Sequence, residues 1–450
     1  MSLEKQNPEN VGCGPGYVQV QASLLVPTTM AESTGSSTIG TNETQFTTPT
    51  LPVELWRAIF RYASAIPNKD EFSTEARAYN PMPVSLDTCS ANITKKELGD
   101  ALKVRRTTAL VSRQWHAMGI DTLYQHIRVR GRSTNSTGAI TLTQNCVRLM
   151  RHTQRLTIEA EYRFGRTQEL YPEDLGNILA ICRNLPNVRI LQAPSELLSP
   201  LEAAGAFPKL QIAEFKDTGT KGVYFEEKVI SSLQNPWGNL LALSVCIYSL
   251  QFSDANTELV FPSIRHFSLS NISYYGLGCV DPVSRYWLMP QLDTFSATSI
   301  DWHCVRQFCE RHANEIRVLI LVCSEAPPDP TDTLTLNRLE EFHCDDVRYK
   351  FFVQSGPVRK LGVHSLGPQD RSEYRNWCND PNAFLVRVAF SFLYWNSIPR
   401  VPVYSFSGVG FALDWFRAQP DVIEVLGQLT ARGSTIEFLP TTPDFPLGEG

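Results

Sequence analysis

This sequence predicts a mixed α/β fold: short amphipathic helices, then an irregular α/β solenoid built on a parallel sheet. Three observations predict it. Leu51, Leu55 and Ile59 recur at four-residue intervals beside a second apolar stripe of Trp56, Phe60 and Ala63, which marks a helix greasy on two sides. Further on, the unit apolar-x-x-apolar-x-apolar repeats from Val188 to Val363 with first positions 19 to 30 residues apart, a period suited to stacked strand-turn-helix units. Prolines 186, 208, 262 and 290 lie two residues before a unit begins, as a turn into a strand favours.

Composition narrows the function classes. With 42% hydrophobic and 19% charged residues the balance is that of an ordinary globular protein. A net charge of −5 lacks the basic footprint that phosphate neutralisation requires, so nucleic acid is not expected as a partner. No apolar run approaches a membrane span and no secretory leader is visible, so no membrane partner is expected and the location should be cytoplasmic or nuclear. Eleven scattered cysteines read as reduced, mostly buried thiols.

Taken in order, residues 1–48 form a tail, rich in Ser and Thr toward its end, with too little apolar material to pack. Thr48 or Thr50 can cap the helix that follows, and Pro52 near its first position costs no hydrogen bond. Residues 66–102 read as a long insertion of turn and loop chemistry. Helical patterning resumes with Val104, Thr108, Val111, Trp115 and Met118 on one face, and Asp121 is placed to cap a third short helix carrying Leu123, Tyr124 and Ile127.

Leu51-Pro52-x-Glu54-Leu55 with Ile59-Phe60, then Leu110-Val111-Ser112-Arg113-x-Trp115, then Leu123-Tyr124 together resemble an F-box, spanning 49–131. The insertion resembles those of expanded fungal F-box proteins, while Thr107-Thr108 departs from the aliphatic residues many members carry. The resemblance implies docking on the Skp adaptor of a cullin-RING ubiquitin ligase through Leu51, Pro52, Leu55, Ile59, Leu110, Val111 and Trp115.

The repeat half, 132–440, runs through Leu191-x-Ala193, Ala213-x-Phe215, Leu243-x-Val245, Phe267-x-Leu269, Phe295-x-Ala297, Leu319-x-Leu321, Phe342-x-Cys344 and Leu361-x-Val363, with an outlying copy at Leu156-Thr157-Ile158. Residues 175–182 and 305–312 read as intervening helices. This half resembles the divergent leucine-rich repeats that follow many F-boxes, without the Asn or Cys ladder at the ninth position. Beyond Ser365 the repeat fades. Two helices at 411–416 and 422–426 and a strand at 435–439 suit a terminal cap, and 441–450 a tail.

Strand alternation sends the intervening residues to the open sheet face, where solenoids usually bind. The candidates for substrate contact there are Glu214, Lys216, His266, Glu341, His343, Asp345, Lys360 and His364. His303, Cys304, Cys309 and His312 are zinc-type ligands without zinc spacing, and His343, Asp345 and His364 lack it too, so no metal is expected. Neither a Gly-x-Ser-x-Gly elbow nor a phosphate loop is present, and no catalysis or cofactor is expected. The expectation is a non-catalytic receptor that holds an unknown protein target for ubiquitination. The alternative is a scaffold, either Skp-binding or a plain repeat protein, without a role in ubiquitin transfer.

Overall fold

The computed structural model describes residues 52–64, parts of 103–119, 124–130, 150–159, 162–163, 166–167, 172–194, 197, 201, 206–216, 238–247, 258–271, 281–298, 300–322, 333–344, 353–355, 358–366 and 401–441. Helix α1 is Val53–Ser64. Strands follow at β1 (His126–Arg130), β2 (Arg155–Glu159), β3 (Tyr162–Arg163) and β4 (Arg166–Thr167), then helix α2 (Pro172–Arg183) and β5 (Ile190–Pro194). Next come β6 (Ile212–Lys216), β7 (Ala242–Ile247), β8 (Leu259–Val260), β9 (His266–Asn271), helix α3 (Asp281–Tyr286), β10 (Trp287–Leu288) and β11 (Thr294–Thr298). Helix α4 (Trp302–Arg311) leads to β12 (Val318–Val322), β13 (Leu334–Leu336), β14 (Glu341–Cys344), β15 (Val353–Ser355) and β16 (Lys360–Leu366). The chain closes with β17 (Val403–Val409), α5 (Gly410–Arg417), α6 (Pro420–Ala431) and β18 (Thr435–Thr441).

Among the described residues, twelve of these strands form one sheet in the order β1-β2-β5-β6-β7-β9-β11-β12-β14-β16-β17-β18. Every neighbouring pair is parallel and every step moves forward along the chain, so the sheet advances in one direction. The fold is mixed α/β with a large parallel sheet, in the manner of a solenoid.

Register shows why the apolar units build it. Leu156, Leu191, Ala213, Leu243, Phe267, Phe295, Leu319, Phe342, Leu361 and Tyr404 align across the strands as one row, and all are buried. The row two residues on, from Ile158 through Phe215 and Leu269 to Phe406, is buried as well. Both rows point to the helical layer, where Phe308 of α4 meets Phe295 at 4.4 Å and Phe267 at 5.5 Å between ring centroids. Asp301 caps α4 by accepting from the His303 amide at 2.8 Å. Phe416 of α5 packs on Phe406 in the same way, with centroids 5.5 Å apart.

Two findings differ from the sequence reading. Ile127, expected in a third short helix, lies in β1, where Tyr124-x-x-Ile127-x-Val129 is a further copy of the apolar unit with all three residues buried. The repeat also extends past Ser365: Val401, Tyr404 and Phe406 are buried in the unit that forms β17. In both copies a tyrosine, with its polar hydroxyl, takes a position that most other units give to a wholly apolar side chain. Thr153 stands where the β2 unit would have an apolar first residue, and its buried hydroxyl donates to the Tyr124 carbonyl at 2.9 Å.

Beneath the sheet, His312 is buried after α4, with Nε2 3.3 Å from the Trp287 carbonyl and its ring 4.7 Å from Phe308. Burial, assisted by the neighbouring Arg311 charge and opposed by the Trp287 contact, lowers its pKa from 6.5 to about 4. Below pH 6.5 the unfolded chain therefore takes up a proton that the folded chain refuses. Stability should fall as pH drops from 6.5 to 4, by up to roughly 3 kcal/mol from this group. Urea unfolding of the wild type against His312→Phe should show a gap that narrows across that window. A pH-independent gap would remove His312 from the account.

Candidate binding surfaces

Helix α1 divides its apolar residues between two faces. Amides of Leu55 and Trp56 donate to the Pro52 carbonyl at 3.0 and 3.2 Å, starting the helix directly after the proline. On the inner face, Trp56 and Phe60 close on Trp115, with centroids 5.1 and 5.0 Å away. Phe60 is buried, while Trp56 and Trp115 are half-buried. Ser112 sits three residues before Trp115 and its hydroxyl accepts from the Trp115 amide at 3.1 Å, which gives the Ser-Arg-x-Trp spacing a capping role.

The outer face is uncovered. Leu55 and Ile59 are 49% and 45% exposed, and Leu110 and Val111 are 57% and 58% exposed. Six of the eight large exposed aliphatics among the described residues lie between Val53 and Val111, so exposed aliphatic side chains concentrate in this part of the chain. Pro52 is exposed beside it, and Leu51 lies outside the described residues. Of the residues expected to meet an adaptor, Pro52, Leu55, Ile59, Leu110 and Val111 are open, whereas Trp115 stands in the aromatic contact between helical segments.

The second surface is the sheet face opposite the helices. Glu214 is half-buried between Gln192 and Ser244 in register, and His266 is half-buried between Ala242 and Thr294. Lys216 is the last residue of β6, opposite Pro194, and His364 lies in β16. Asp345 lies outside the described residues.

Across the middle of this face, at Ser244, Ser268, Thr294, Ser296, Val318 and Ile320, and again at its far end, the expected openness does not hold. His343 is fully buried and Lys360 is 7% exposed. His343 Nε2 lies 3.3 Å from Glu341 Oε2 on its own strand, and Lys360 Nζ reaches across β17 to Glu437 Oε2 at 2.6 Å. The Nδ1 edge of the imidazole stands against Gly362 of the next strand, where a Cβ would fall 2.0 Å from Nδ1. Three residues absent from the candidate set therefore shape this end: Gly362, Glu437 and the buried Ser405 in register between them. Alternation within 435–439 already put Glu437 on this face.

The zinc-type residues around α4 are dispersed. Cys304 and Cys309 are buried, His312 lies under the sheet, and exposed His303 contacts Gln307 at 2.8 Å. Among the described residues no three His, Cys, Asp or Glu side chains gather as a metal site. Burial also raises the Cys182 pKa far above the thiol range, leaving it an unreactive thiol.

Compared with models of known protein families and with curated proteins, the chain matches none.

The His343 ring cannot share its place with a β-carbon. Gly362→Ala should destabilise the protein by about 1–3 kcal/mol through overpacking, read as a lower urea midpoint. In a His343→Ala background the same change should cost little. Equal costs in both backgrounds would show that the ring does not set the requirement.

Proposed function

We propose that the chain is a non-catalytic substrate receptor of a cullin-RING ubiquitin ligase, of F-box type, with leucine-rich-repeat-like units holding a target protein. One observation carries this reading. The aromatic stripe of α1 is spent on Trp115, while the aliphatic stripe and Leu110-Val111 stay in water. A domain this small gains little from its own core, and covering each half-exposed Leu or Ile regains on the order of 1 kcal/mol. A helix-in-groove partner supplies that cover, and the residues left open are largely those that resemblance to the F-box assigns to the Skp-type adaptor.

The parallel sheet supplies the other half of the reading. Its forward progression gives a long row of strand entrances, exposed at Arg189, Lys209 and Arg265, beside which a protein target can rest, and tethering that target raises the effective concentration of its lysines near the charged conjugating enzyme. The chemistry is borrowed, so this chain needs no catalytic group for it. The proposed compartment is the cytoplasm or nucleus, where the ligase works.

Pull-down of a Skp-type adaptor should succeed with the wild type and weaken more than tenfold with Leu55→Asp or Val111→Asp. Ile423→Asp, an equally exposed position on α6, should bind as the wild type does. If the wild type fails to bind, or both aspartates are harmless, the docking face is elsewhere. Adaptor capture without cullin in the complex would replace the receptor by a scaffold.

A further inference from the structure

The entrance edge of the sheet, where turns lead into β5, β6, β7 and β9, carries an open pocket of about 320 Å³ lined by Arg189, Lys209, Gln211, Asn239, Leu241 and Ser263. That volume lies at the low end of the range for ligand sites. Arg189, Lys209 and Asn239 are exposed, and Gln211, Leu241 and Ser263 are half-buried. The lining presents a guanidinium, an ammonium, two carboxamides and a hydroxyl, and it contains no carboxylate.

Hydrogen bonds fix the spacing of these groups. Gln211 N–H donates to the Arg189 carbonyl, Leu241 N–H to the Gln211 carbonyl, and Arg265 N–H to the Leu241 carbonyl, at 2.7 to 2.8 Å. The entry residues are thus stepped along the edge at the interstrand distance. The Lys209 ammonium donates to Asn187 Oδ1 at 2.7 Å, and Asn187 Nδ2 donates to the Arg151 carbonyl at 2.7 Å, so the lysine is held in place by a neighbouring turn. Phe207, buried with φ of 64°, begins the Pro208-Lys209 turn in a left-handed conformation that a bulky residue rarely adopts.

Further along the same edge the chain treats an arginine differently. Arg317 is gripped by Glu340 at 2.7 Å and has Asp293 at 3.9 Å on its other side. Arg189, Lys209 and Arg265 make no ion pair among the described residues. In a chain of net charge −5, this edge therefore holds three cations without an ion pair among the described residues over four adjacent strands, two of them lining one donor-rich pocket. Arg189 supplies a planar fork and Lys209 a point charge, a combination suited to carboxylate or phosphate oxygens.

We propose that this pocket binds an acidic segment of a protein, with Arg189 and Lys209 holding its anionic side chains and Arg265 extending the track by one strand. Four stepped entry residues match an extended peptide crossing the edge better than a compact metabolite. On the receptor reading, that segment belongs to the target. The peptide contact itself stands apart from adaptor docking.

The full chain titrated into a fluorescein-labelled octaglutamate peptide should raise its anisotropy, with affinity falling as salt rises. Arg189→Glu and Lys209→Glu should each weaken binding at least about tenfold, and Arg189→Gln less. Urea midpoints should stay at the wild-type value, because both side chains are exposed. Inorganic phosphate as competitor, with a phosphoserine peptide of equal charge, separates the anion sources: carboxylate recognition predicts that octaglutamate resists phosphate, whereas a phosphate site predicts its ready displacement and tighter phosphopeptide binding. Either result upholds an acidic protein segment as the ligand. Absence of octaglutamate and phosphopeptide binding, binding indifferent to both charge reversals, or tighter arginine-dependent binding of a single-stranded oligonucleotide would overturn the proposal. Peptide binding without adaptor capture would leave the pocket standing and remove the receptor reading; adaptor capture without peptide binding would do the reverse.

Discussion

The amide of Arg189 donates to the carbonyl of Gln154, and the same bond recurs at Gln211, Leu241, Arg265, Asp293, Arg317, Glu340 and Arg359, each reaching the preceding strand at 2.7–2.9 Å. This one contact at the sheet entrance sets the register of everything that follows. It fixes which residue of each strand lies beside which, hence which side chains line up as the core rows and which line up on the opposite face. Hydrogen bonding alone would tolerate a slip of one residue. The apolar unit forbids it, because such a slip would send Phe267, Phe295 and Phe342 out of the core together.

The regularity of that unit made the sheet legible. Eight copies gave eight of the twelve strands, and β2 appeared as an outlying copy. Missed at the ends were β1 and β17, for a shared reason. Tyr124 and Tyr404 fill positions that are wholly apolar in most other units, and the first follows directly on helical patterning, where a short apolar run fits either period. The N-terminal helix was read with both stripes, but periodicity could not say which stripe would be consumed. That depends on Trp115, whose ring arrives from across residues 66–102 to take Trp56 and Phe60.

The sheet face shows where alternation stops being informative. Period two states the side a residue points to, not how much room it finds there. Ser244, Ser268 and Ser296 sit in one register row with Ile320, His343 and Gly362, and all the members whose burial is described are shielded from solvent. His343 and Lys360 looked like free binding groups in one dimension; their partners Glu341 and Glu437 are two and 77 residues away, and the longer separation is invisible to any local pattern. The buried Lys360 ammonium persists because it is paired, and a paired group has less left to offer a ligand.

The same distinction singles out the entrance edge. Along one row of backbone bonds, the chain pairs Arg317 with Glu340 and Asp293, whereas Arg189 and Arg265 make no ion pair among the described residues, although the fold places all three alike. Folding therefore does not require the difference. The proposed adaptor contact and the proposed acidic-segment contact also rest on opposite physics: burial of aliphatic surface persists in salt, while attraction between exposed charges is screened over about 10 Å at 0.1 M. Two contacts of these kinds on one chain, one apolar near the N-terminus and one cationic at the sheet edge, can be loaded and released independently. A receptor that keeps its adaptor while exchanging targets needs that separation.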